Sequence, residues 1–261
     1  MNPELQNRIV VVLVRARNSN NIGAVARAMH DFGFPHLRIV TEYVPPLETA
    51  RSAVDASRVL AEARTFVSVA EAVADCTLVV GTTAVGERAL EHRLEALAQA
   101  SGKILTEAAN SASRVALLFG SEKTGLSNEE LSHCHWLLTI PMYEHEEMRH
   151  PSMNLGQAVA VCLYELVRSE ESIGNVGLRE AARAEDVERF LGLFREVLGE
   201  TGYVQRYPAN VRETQLRRVV LRMGLTAEDV PVWMGVMRQM LWKIRQGGRN
   251  RSGQEETDPR R

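Results

Sequence analysis

The sequence predicts an α/β fold, in which a parallel sheet carries helices on both faces and a small helical extension follows. Short apolar runs rich in β-branched residues alternate with segments of helical periodicity up to residue 169. Several of these runs stop at glycine or proline, as buried strands do where they enter loops. Beyond that point helical periodicity continues, but no convincing strand remains.

Five strands are predicted in the first part of the chain, over residues 8–14, 37–40, 77–82, 115–120 and 136–140. Helices are predicted between and after them from apolar periodicity. The first begins at Asn20 or Asn21, where an asparagine can cap it, and ends at Gly33. The others cover residues 51–63, 69–74 and 155–168.

The remaining chain predicts a separate helical unit. We expect a main domain over residues 1–169, a polar linker over 170–184, the helical extension over 185–246 and a disordered tail over 247–261. Its helices are predicted at 186–198, 210–223 and 227–244. Two apolar stripes should face its core, one formed by Val187, Phe190, Leu191 and Phe194 and the other by Val232, Val236, Met240 and Ile244.

Composition excludes several classes of protein. The 261 residues are 45% hydrophobic and 25% charged, the ordinary mixture of a globular chain. This excludes a fully disordered chain, a collagen-like repeat and a disulfide scaffold, and no apolar run reaches the ~18 residues that a membrane span needs. The three cysteines, Cys76, Cys134 and Cys162, are scattered and odd in number. They predict reduced thiols in a cytoplasmic protein, with Cys76 and Cys162 in the core.

Charge is distributed unevenly along the chain. The formal net charge is −2, but residues 1–175 hold 15 Lys and Arg against 21 Asp and Glu, whereas residues 176–261 hold 16 against 12. A basic C-terminal part could meet a polyanion. A solvated charged surface explains the same distribution equally well, so charge alone decides nothing.

Three polar segments follow predicted strands or begin predicted helices, where α/β proteins bind ligands. The first, NIGAVAR, runs from Asn21 to Arg27. Gly23 permits close backbone approach at a helix start, and free amides there attract anions. Taken alone, Arg27 is better explained as an arginine that reaches the surface from an apolar helix.

The second and third segments are FGSEKTGL, at 119–126, and PSMNLGQA, at 151–158. The spacing of Gly120 and Gly125 resembles a phosphate loop, but Leu126 stands where the essential lysine belongs, which excludes a nucleotide triphosphatase. Glu122 could simply cap nearby amides. In the third segment Ser152 or Asn154 could be a plain helix cap.

Histidine patterns in this chain do not predict a metal site. His145 and His150 are five residues apart, whereas a helical zinc pair needs a spacing of four. The run of His133, Cys134 and His135 has no second cluster of ligands to accompany it.

Together, NIGAVAR, FGSEKTGL and SMNLGQA resemble, in order and spacing, the three signature motifs of the SPOUT superfamily, in its SpoU (TrmH-like) branch of RNA ribose 2′-O-methyltransferases. The stretch TLVVGTTA looks like the cofactor-side loop of that family. The C-terminal stretches EDVERFLGLFREVLGETGYV and LRRVVLRMGLT are similar to the helical extension of TrmJ-type enzymes, which methylate cytidine or uridine 32 of the tRNA anticodon loop.

This resemblance implies a SPOUT fold with a C-terminal trefoil knot, S-adenosylmethionine as cofactor, tRNA as partner and an active site formed across a homodimer. The polar motif residues that it implies in catalysis are Asn21, Arg27, Glu122, Ser152 and Asn154. The residues that it implies along the cofactor are Thr82, Thr83, Ala84, Gly120, Ile140, Pro151, Ser152 and Met153. The tRNA backbone would be held by Arg212, Arg217, Arg218 and Arg222, for which a solvated helix face with dimer contacts is the alternative.

The sequence departs from the family pattern in two places, and two alternative functions stay open. Residues 142–150 form a longer segment than in comparable enzymes, and Gly156 replaces a residue that is often Ser or Ala, with an effect expected only on packing. The alternatives are a ribosomal-RNA 2′-O-methyltransferase and a non-catalytic RNA-binding protein. The retained motif residues argue against the second.

Overall fold

A single sheet of seven parallel strands organises the main part of the molecule, in the order β3-β2-β1-β6-β4-β7-β5. The computed structural model describes residues 2–42, 57–84, 92–143, 152–169 and 180–252. The strands are β1 (Ile9–Val14), β2 (His36–Val40), β3 (Arg64–Phe66), β4 (Leu78–Thr82), β5 (Leu94–Ala96), β6 (Val115–Phe119) and β7 (Trp136–Thr139). The five predicted strands are confirmed. The two that sequence missed, β3 and β5, have three residues each and are too short to show periodicity.

Seven helices surround the sheet within the described residues: α1 (Pro3–Arg8), α2 (Ser19–Phe32), α3 (Ser57–Ala61), α4 (Val69–Ala72), α5 (Leu97–Ala109), α6 (Asn128–Ser132) and α7 (Leu155–Ser169). The predicted cap of α2 was wrong. The helix begins at Ser19, and the side chain of Asn18 accepts a hydrogen bond from Asn20 N, 2.9 Å away. Its predicted end at Gly33 is confirmed, with φ at 78°. Part of the predicted 51–63 helix lies outside the described residues.

Each face of the sheet buries its own apolar core. Ile9, Val11 and Leu13 of β1 pack with α2, α5 and α7, whereas the alternate residues, Val10 and Val12, pack with α4 and α6. Because β1 is buried on both faces, its sequence is a continuous run of apolar residues. Cys76, Cys134 and Cys162 are all buried, which confirms the predicted core positions of Cys76 and Cys162.

Helices α2 and α7 approach each other closely at Gly156. A Cβ atom at this position would lie 2.6 Å from the Ala24 Cβ, closer than two carbons can pack. The departure from the family pattern at Gly156 therefore acts through packing, since it brings the start of α7 against the start of α2.

The chain after residue 180 forms a helical unit with a third core. Its helices are α8 (Ala184–Glu200), α9 (Tyr203–Arg206), α10 (Glu213–Arg222) and α11 (Asp229–Ser252), with a 3-10 turn at Pro208–Val211. The three predicted helices are confirmed, although α11 ends at Ser252, eight residues past the predicted end at 244 and six residues into the segment predicted to be a disordered tail. The unit is tied to the sheet domain by backbone hydrogen bonds, such as the 2.7 Å bond from Ala184 N to Cys76 O.

One of the two apolar stripes predicted for this unit was wrong. The α8 stripe, which includes Val187 and Phe190, lies in the third core as expected. On α11, however, Val232, Val236 and Met240 are exposed. Only Ile244 of the predicted stripe packs against the third core, whose other α11 residues, Val230, Met234, Met237 and Leu241, lie on a neighbouring face of the helix. Helix α11 carries two apolar faces, and periodicity alone could not show which one is buried.

In the described part of the chain, no helix is long and apolar enough to span a membrane.

Candidate active site

Five of the eight predicted cofactor residues lie at one edge of the sheet. Strands β6, β4 and β7 are neighbours, with Gly81 opposite Leu118 and Thr82 opposite Leu138. Gly120, the 82–84 segment and Ile140 follow the carboxyl ends of these three parallel strands, so they meet at the same edge. Met153 lies partly buried just before α7, whereas Pro151 is outside the described residues. Ligands of open α/β sheets bind at such an edge.

Polar groups of β4 are used to hold this edge together. The Thr82 hydroxyl donates to Leu118 O at 2.9 Å, and Thr83 N donates to Leu138 O at 3.0 Å. The Thr83 hydroxyl donates to Ala84 O at 3.1 Å. A ligand at this edge would therefore meet mainly backbone groups and small side chains.

The loop after β6 folds back tightly onto the strand end. Gly125 N donates to Ser121 O at 2.8 Å, and Gly125 has φ at 64°, in the left-handed region. A Cβ atom on Gly120 would lie 2.1 Å from the backbone carbon of Gly125. Position 120 therefore admits only glycine in this loop conformation.

Arg15, which the sequence analysis did not single out, clamps the same loop. It follows β1 and has φ at 57°, a conformation that is rare for residues other than glycine. Its guanidinium binds both carboxylate oxygens of Glu130, at 2.6 and 3.0 Å, and donates to Gly125 O at 3.0 Å. The loop is thus held from β1 as well as by its own turn.

The Glu130 carboxylate also caps helix α6. It accepts from Ser127 N at 2.6 Å, while the Ser127 hydroxyl accepts from Glu130 N. Burial alone would raise the pKa of Glu130, but the hydrogen bonds from Arg15 and Ser127 N lower it below its ordinary value. The carboxylate therefore stays charged and bonded at neutral pH.

A chain of side-chain hydrogen bonds joins all three sequence motifs. The Asn21 amide donates to Glu122 Oε1 at 2.8 Å, and the Asn154 amide donates to Asn21 Oδ1 at 3.1 Å. These pairs are separated by 101 and 133 residues along the chain. Asn154 Oδ1 also accepts from Gly156 N at 3.0 Å, so this residue both caps α7 and belongs to the site. Glu122 therefore accepts a hydrogen bond from a side-chain amide, whereas the alternative interpretation of the sequence was that it caps nearby backbone amides.

A polar cleft of about 350 Å³ opens beside this chain of hydrogen bonds. Its lining residues are Arg15, Arg17, Asn18, Asn21, Ser121, Glu122, Lys123 and Thr124. The lining holds three cations and one carboxylate, although one of the cations, Arg15, is already paired with Glu130. The size of the cleft falls in the usual range for small-molecule sites. It suits a ligand that carries negative charge and several hydroxyl groups.

Arg27 lies on a different side of helix α2 from Asn21. It lies six residues after Asn21, which places it about 120° around the helix from that residue. Its side chain is half exposed, and Nε lies 3.9 Å from Asp31 Oδ2. Among the described residues no hydrogen bond joins Arg27 to Asn21, Glu122 or Asn154. Ser152 is exposed at the start of the α7 segment.

The sequence model of the SpoU rRNA Methylase family matches residues 8–164, more than half of the chain. The chain belongs to the SpoU rRNA Methylase family. By that membership it is an RNA methyltransferase of the SpoU type, and the fold agrees. The crystal structure of TrmJ from Z. mobilis ZM4 superposes with a TM-score of 0.74 and 30% identity, covering 88% of this chain and 98% of that one.

Two further relatives agree with this SpoU assignment. The tRNA (cytidine/uridine-2'-O-)-methyltransferase TrmJ of Escherichia coli (strain K12) is 36% identical over 223 residues, covering 82% of this chain and 87% of its own. A putative methylase family protein from Neisseria gonorrhoeae superposes with a TM-score of 0.64 and 30% identity, covering 74% of this chain and 96% of that one. Coverage of 88% by the Z. mobilis structure extends past residue 164, into the C-terminal helical unit.

The four C-terminal arginines of this SpoU methylase lie in different environments. Arg212 and Arg222 are exposed, and Arg218 is partly buried. Burial and the nearby charge of Arg222 lower the pKa of Arg218. Arg217 differs, because it is only 6% exposed and binds Glu188 at 2.7 Å, Glu213 at 2.9 Å and the Ser132 hydroxyl at 3.0 Å. In this structure Arg217 is engaged by carboxylates and joins the helical unit to α6, which corrects the expectation that it faces RNA.

Proposed function

We propose that this SpoU methylase transfers a methyl group from S-adenosylmethionine to the ribose 2′-hydroxyl of tRNA, at cytidine or uridine 32 of the anticodon loop. The observation that carries the proposal is the hydrogen-bonded junction of Asn21, Glu122 and Asn154 beside a cleft that holds three cations. The name and coverage of the E. coli relative support tRNA as the substrate. We place the reaction in the cytoplasm, with the substrate tRNA.

The strand-end residues fit the proposed cofactor. Gly120, Ala84, Ile140 and Met153 present backbone groups and small or apolar side chains that could hold an adenosine and a methionine chain, together with Thr82, Thr83 and Ser152. We assign Pro151, which lies outside the described residues, to the same cofactor from the family motif alone. When bound, S-adenosylmethionine supplies an electrophilic methyl group on a sulfonium. The chain contributes positioning, by holding the ribose oxygen in line with that methyl.

The ribose hydroxyl must lose its proton as it attacks. A guanidinium carries its full complement of protons in proteins, so Arg27 does not serve as a simple base. We assign it to orienting the target phosphate or stabilising the developing alkoxide, with the proton passing to solvent or a neighbouring group. Ser152 and Asn154 position the ribose. A loop nucleotide is already unpaired, so presenting it costs little.

We further propose a homodimer in which Arg27 completes the partner's site, together with a trefoil knot in each chain. The support is the direction of Arg27, which lies about 120° around α2 from Asn21. Arg27→Ala and Asn154→Ala should each be inactive alone, while an equal mixture should recover about a quarter of wild-type activity, since half of the dimers then hold one intact site. If the protein in solution has twice the 29.1 kDa mass of one protomer and the mixture still recovers no activity, the shared site is contradicted.

Methyl transfer from labelled S-adenosylmethionine to bulk tRNA, followed by nuclease mapping, tests the reaction. We expect a single 2′-O-methyl mark at nucleotide 32. The family name favours ribosomal RNA as the second candidate substrate, so it belongs in the same assay. Transfer to ribosomal RNA alone would overturn the tRNA assignment and keep the chemistry, while no transfer to either RNA would leave the non-catalytic alternative.

A further inference from the structure

The segment between α8 and α10 exposes two tyrosines and two arginines, Tyr203, Arg206, Tyr207 and Arg212, which we call the tyrosine patch. The rings of Tyr203 and Tyr207 lie 5.0 Å apart at 45°, and the Arg206 guanidinium lies 5.6 Å from the centre of the Tyr207 ring. The tyrosines are 37% and 43% exposed. Tyr203, Arg206 and Tyr207 therefore form one aromatic and cationic surface, and the exposed Arg212 follows five residues later in the chain.

The patch does not serve the core of the helical unit. Helix α9 contains no buried residue, and neither tyrosine belongs to the third core. The other close aromatic pair of this unit behaves differently, because Phe190 and Phe194 stack at 6.0 Å inside or against that core. Packing thus explains the phenylalanines and leaves the tyrosines unexplained.

The arginines of the patch also differ from several other arginines of the helical unit, which are paired with carboxylates. Arg195 pairs with Glu213, Arg217 with Glu188, and Arg245 with Glu196 and Glu200. Within residues 180–246, where side chains are described, Arg206 and Arg212 form no ion pair with a carboxylate. Their charges are available to an anion from outside.

We infer that the tyrosine patch is a stacking platform for unpaired nucleotides of the RNA substrate, with Arg206 and Arg212 on the neighbouring phosphates. Exposed aromatic rings bearing guanidinium groups bind single-stranded nucleic acid because any base can stack on them while the cations hold the backbone. This inference rests on the proposed function, since it assigns a place on the protein to part of the same RNA. It adds two tyrosines and Arg206 to the arginines expected from sequence.

The first test removes the rings from the full-length protein. In Tyr203→Ala/Tyr207→Ala, the Kd for unmodified tRNA, measured by fluorescence anisotropy, should rise at least about fivefold. The effect in the methylation assay should fall on KM for tRNA and not on the affinity for S-adenosylmethionine. The matched control, Tyr203→Phe/Tyr207→Phe, keeps the rings and should bind tRNA as the wild type does. Unchanged binding by the alanine variant, with an unchanged Tm, would overturn the inference.

The second test separates phosphate contacts from folding. In Arg206→Ala and Arg212→Ala, the slope of log K against log salt concentration should become shallower by about 0.7 for each lost contact to a single strand. Arg189→Ala removes the same charge from α8, where the side chain already pairs with Glu185 and Asp186, and should leave the slope unchanged. Equal slopes for all three variants would contradict the proposed contacts.

The two proposals can fail separately. If the wild type binds tRNA through the tyrosines but methylates no RNA, the stacking platform stands and the reaction is overturned. If the wild type methylates tRNA while both tyrosine variants behave alike, the platform alone is overturned. Binding of a protein by the patch, with no tRNA bound by the wild type, would overturn both.

Discussion

At the candidate active site beside the strand ends, hydrogen bonds join residues that are far apart along the chain, whereas in the C-terminal helical unit they join residues that are closer together. At the site, Asn21 bonds to Glu122 and Asn154, which are 101 and 133 residues away, and Arg15 bonds to Glu130 across 115 residues. In the helical unit, the pairs of Arg195 and Arg245 join residues 18 to 49 positions apart. The site therefore exists only when the whole sheet domain is folded, whereas the helical unit is built from local contacts around its own core.

This difference separates the effects that substitutions should have. A change at the strand ends should affect cofactor binding or turnover, because the geometry there depends on a few long-range bonds. A change in the helical unit should affect stability or RNA affinity. The following predictions test that separation, from the largest expected effect to the smallest.

Gly120→Ala should have the largest effect, because the new methyl group would meet the backbone of Gly125 at 2.1 Å. We expect a loss of about 3 kcal/mol in the free energy of unfolding and loss of cofactor binding. The control is Gly102→Ala on α5, where no atom lies within 4 Å of the new Cβ, and this variant should gain up to about 1 kcal/mol. Urea unfolding and cofactor calorimetry measure both, and equal stability of the two variants would contradict the fold of this loop.

Arg27→Lys should lose about 100-fold in turnover, because an ammonium cannot reproduce the planar donor geometry of the guanidinium. The side chain is half exposed, so Tm and cofactor affinity should stay unchanged. Steady-state methylation of tRNA measures the loss. Turnover close to that of the wild type would remove Arg27 from the reaction and weaken the assignment of function to the strand ends.

Arg217→Ala should cost roughly 2 kcal/mol of stability, since it leaves Glu188 and Glu213 without their buried partner while both carboxylates keep some solvent. Arg212→Ala, on the surface of the same unit, should change stability by less than about 0.5 kcal/mol and act on tRNA affinity instead. Chemical denaturation and anisotropy on both variants give the comparison. The reverse pattern would restore Arg217 as an RNA contact.

The effect that is smallest at neutral pH appears only in acid. His135 Nδ1 accepts from Val79 N at 3.1 Å, and burial lowers the pKa of its ring from 6.5 to about 4. A depressed folded pKa means that the neutral ring contributes stability above pH 6.5, which is lost as pH falls towards 4. His135→Asn keeps an acceptor that does not titrate, so its stability should fall less than that of the wild type over this interval, by up to about 3 kcal/mol at about 1.36 kcal/mol per pKa unit. Identical pH profiles for the wild type and His135→Asn would contradict this role of His135.

The elements visible in sequence are those with a single local cause. Strand β1 is buried on both faces and therefore reads as an uninterrupted apolar run, and Gly33 ends α2 with a positive φ. Helix α5 was missed because Ala96, at its start, supplies no side-chain cap. Apolar periodicity predicted the wrong face of α11 because this helix carries two apolar stripes. Only the packing of the third core shows which stripe is buried.

The motif residues of the candidate site could be predicted from the sequence, but the residues that hold the surrounding loops and helices in place could not. Asn21, Glu122 and Asn154 stand in recognisable motifs, and the structure joins them directly. Arg15 stands in no motif, and its importance depends on a positive φ and on a carboxylate 115 residues away. Nothing local distinguishes Arg217 from Arg212 or Arg222 either, since burial is decided by how α10 lies against α6.

The dual bonding of Asn154 has a consequence for a chain that is still being synthesised. Its oxygen accepts from the first turn of α7, and its amide reaches Asn21 on α2, so helix formation and site completion share one side chain. A nascent chain that has exposed only the first two motifs has Glu122 and Asn21 but lacks the third partner. Emergence of α7 from the ribosome is thus the step at which this hydrogen-bonded junction can close, and a truncated product that ends before α7 would lack both the junction and one side of the core.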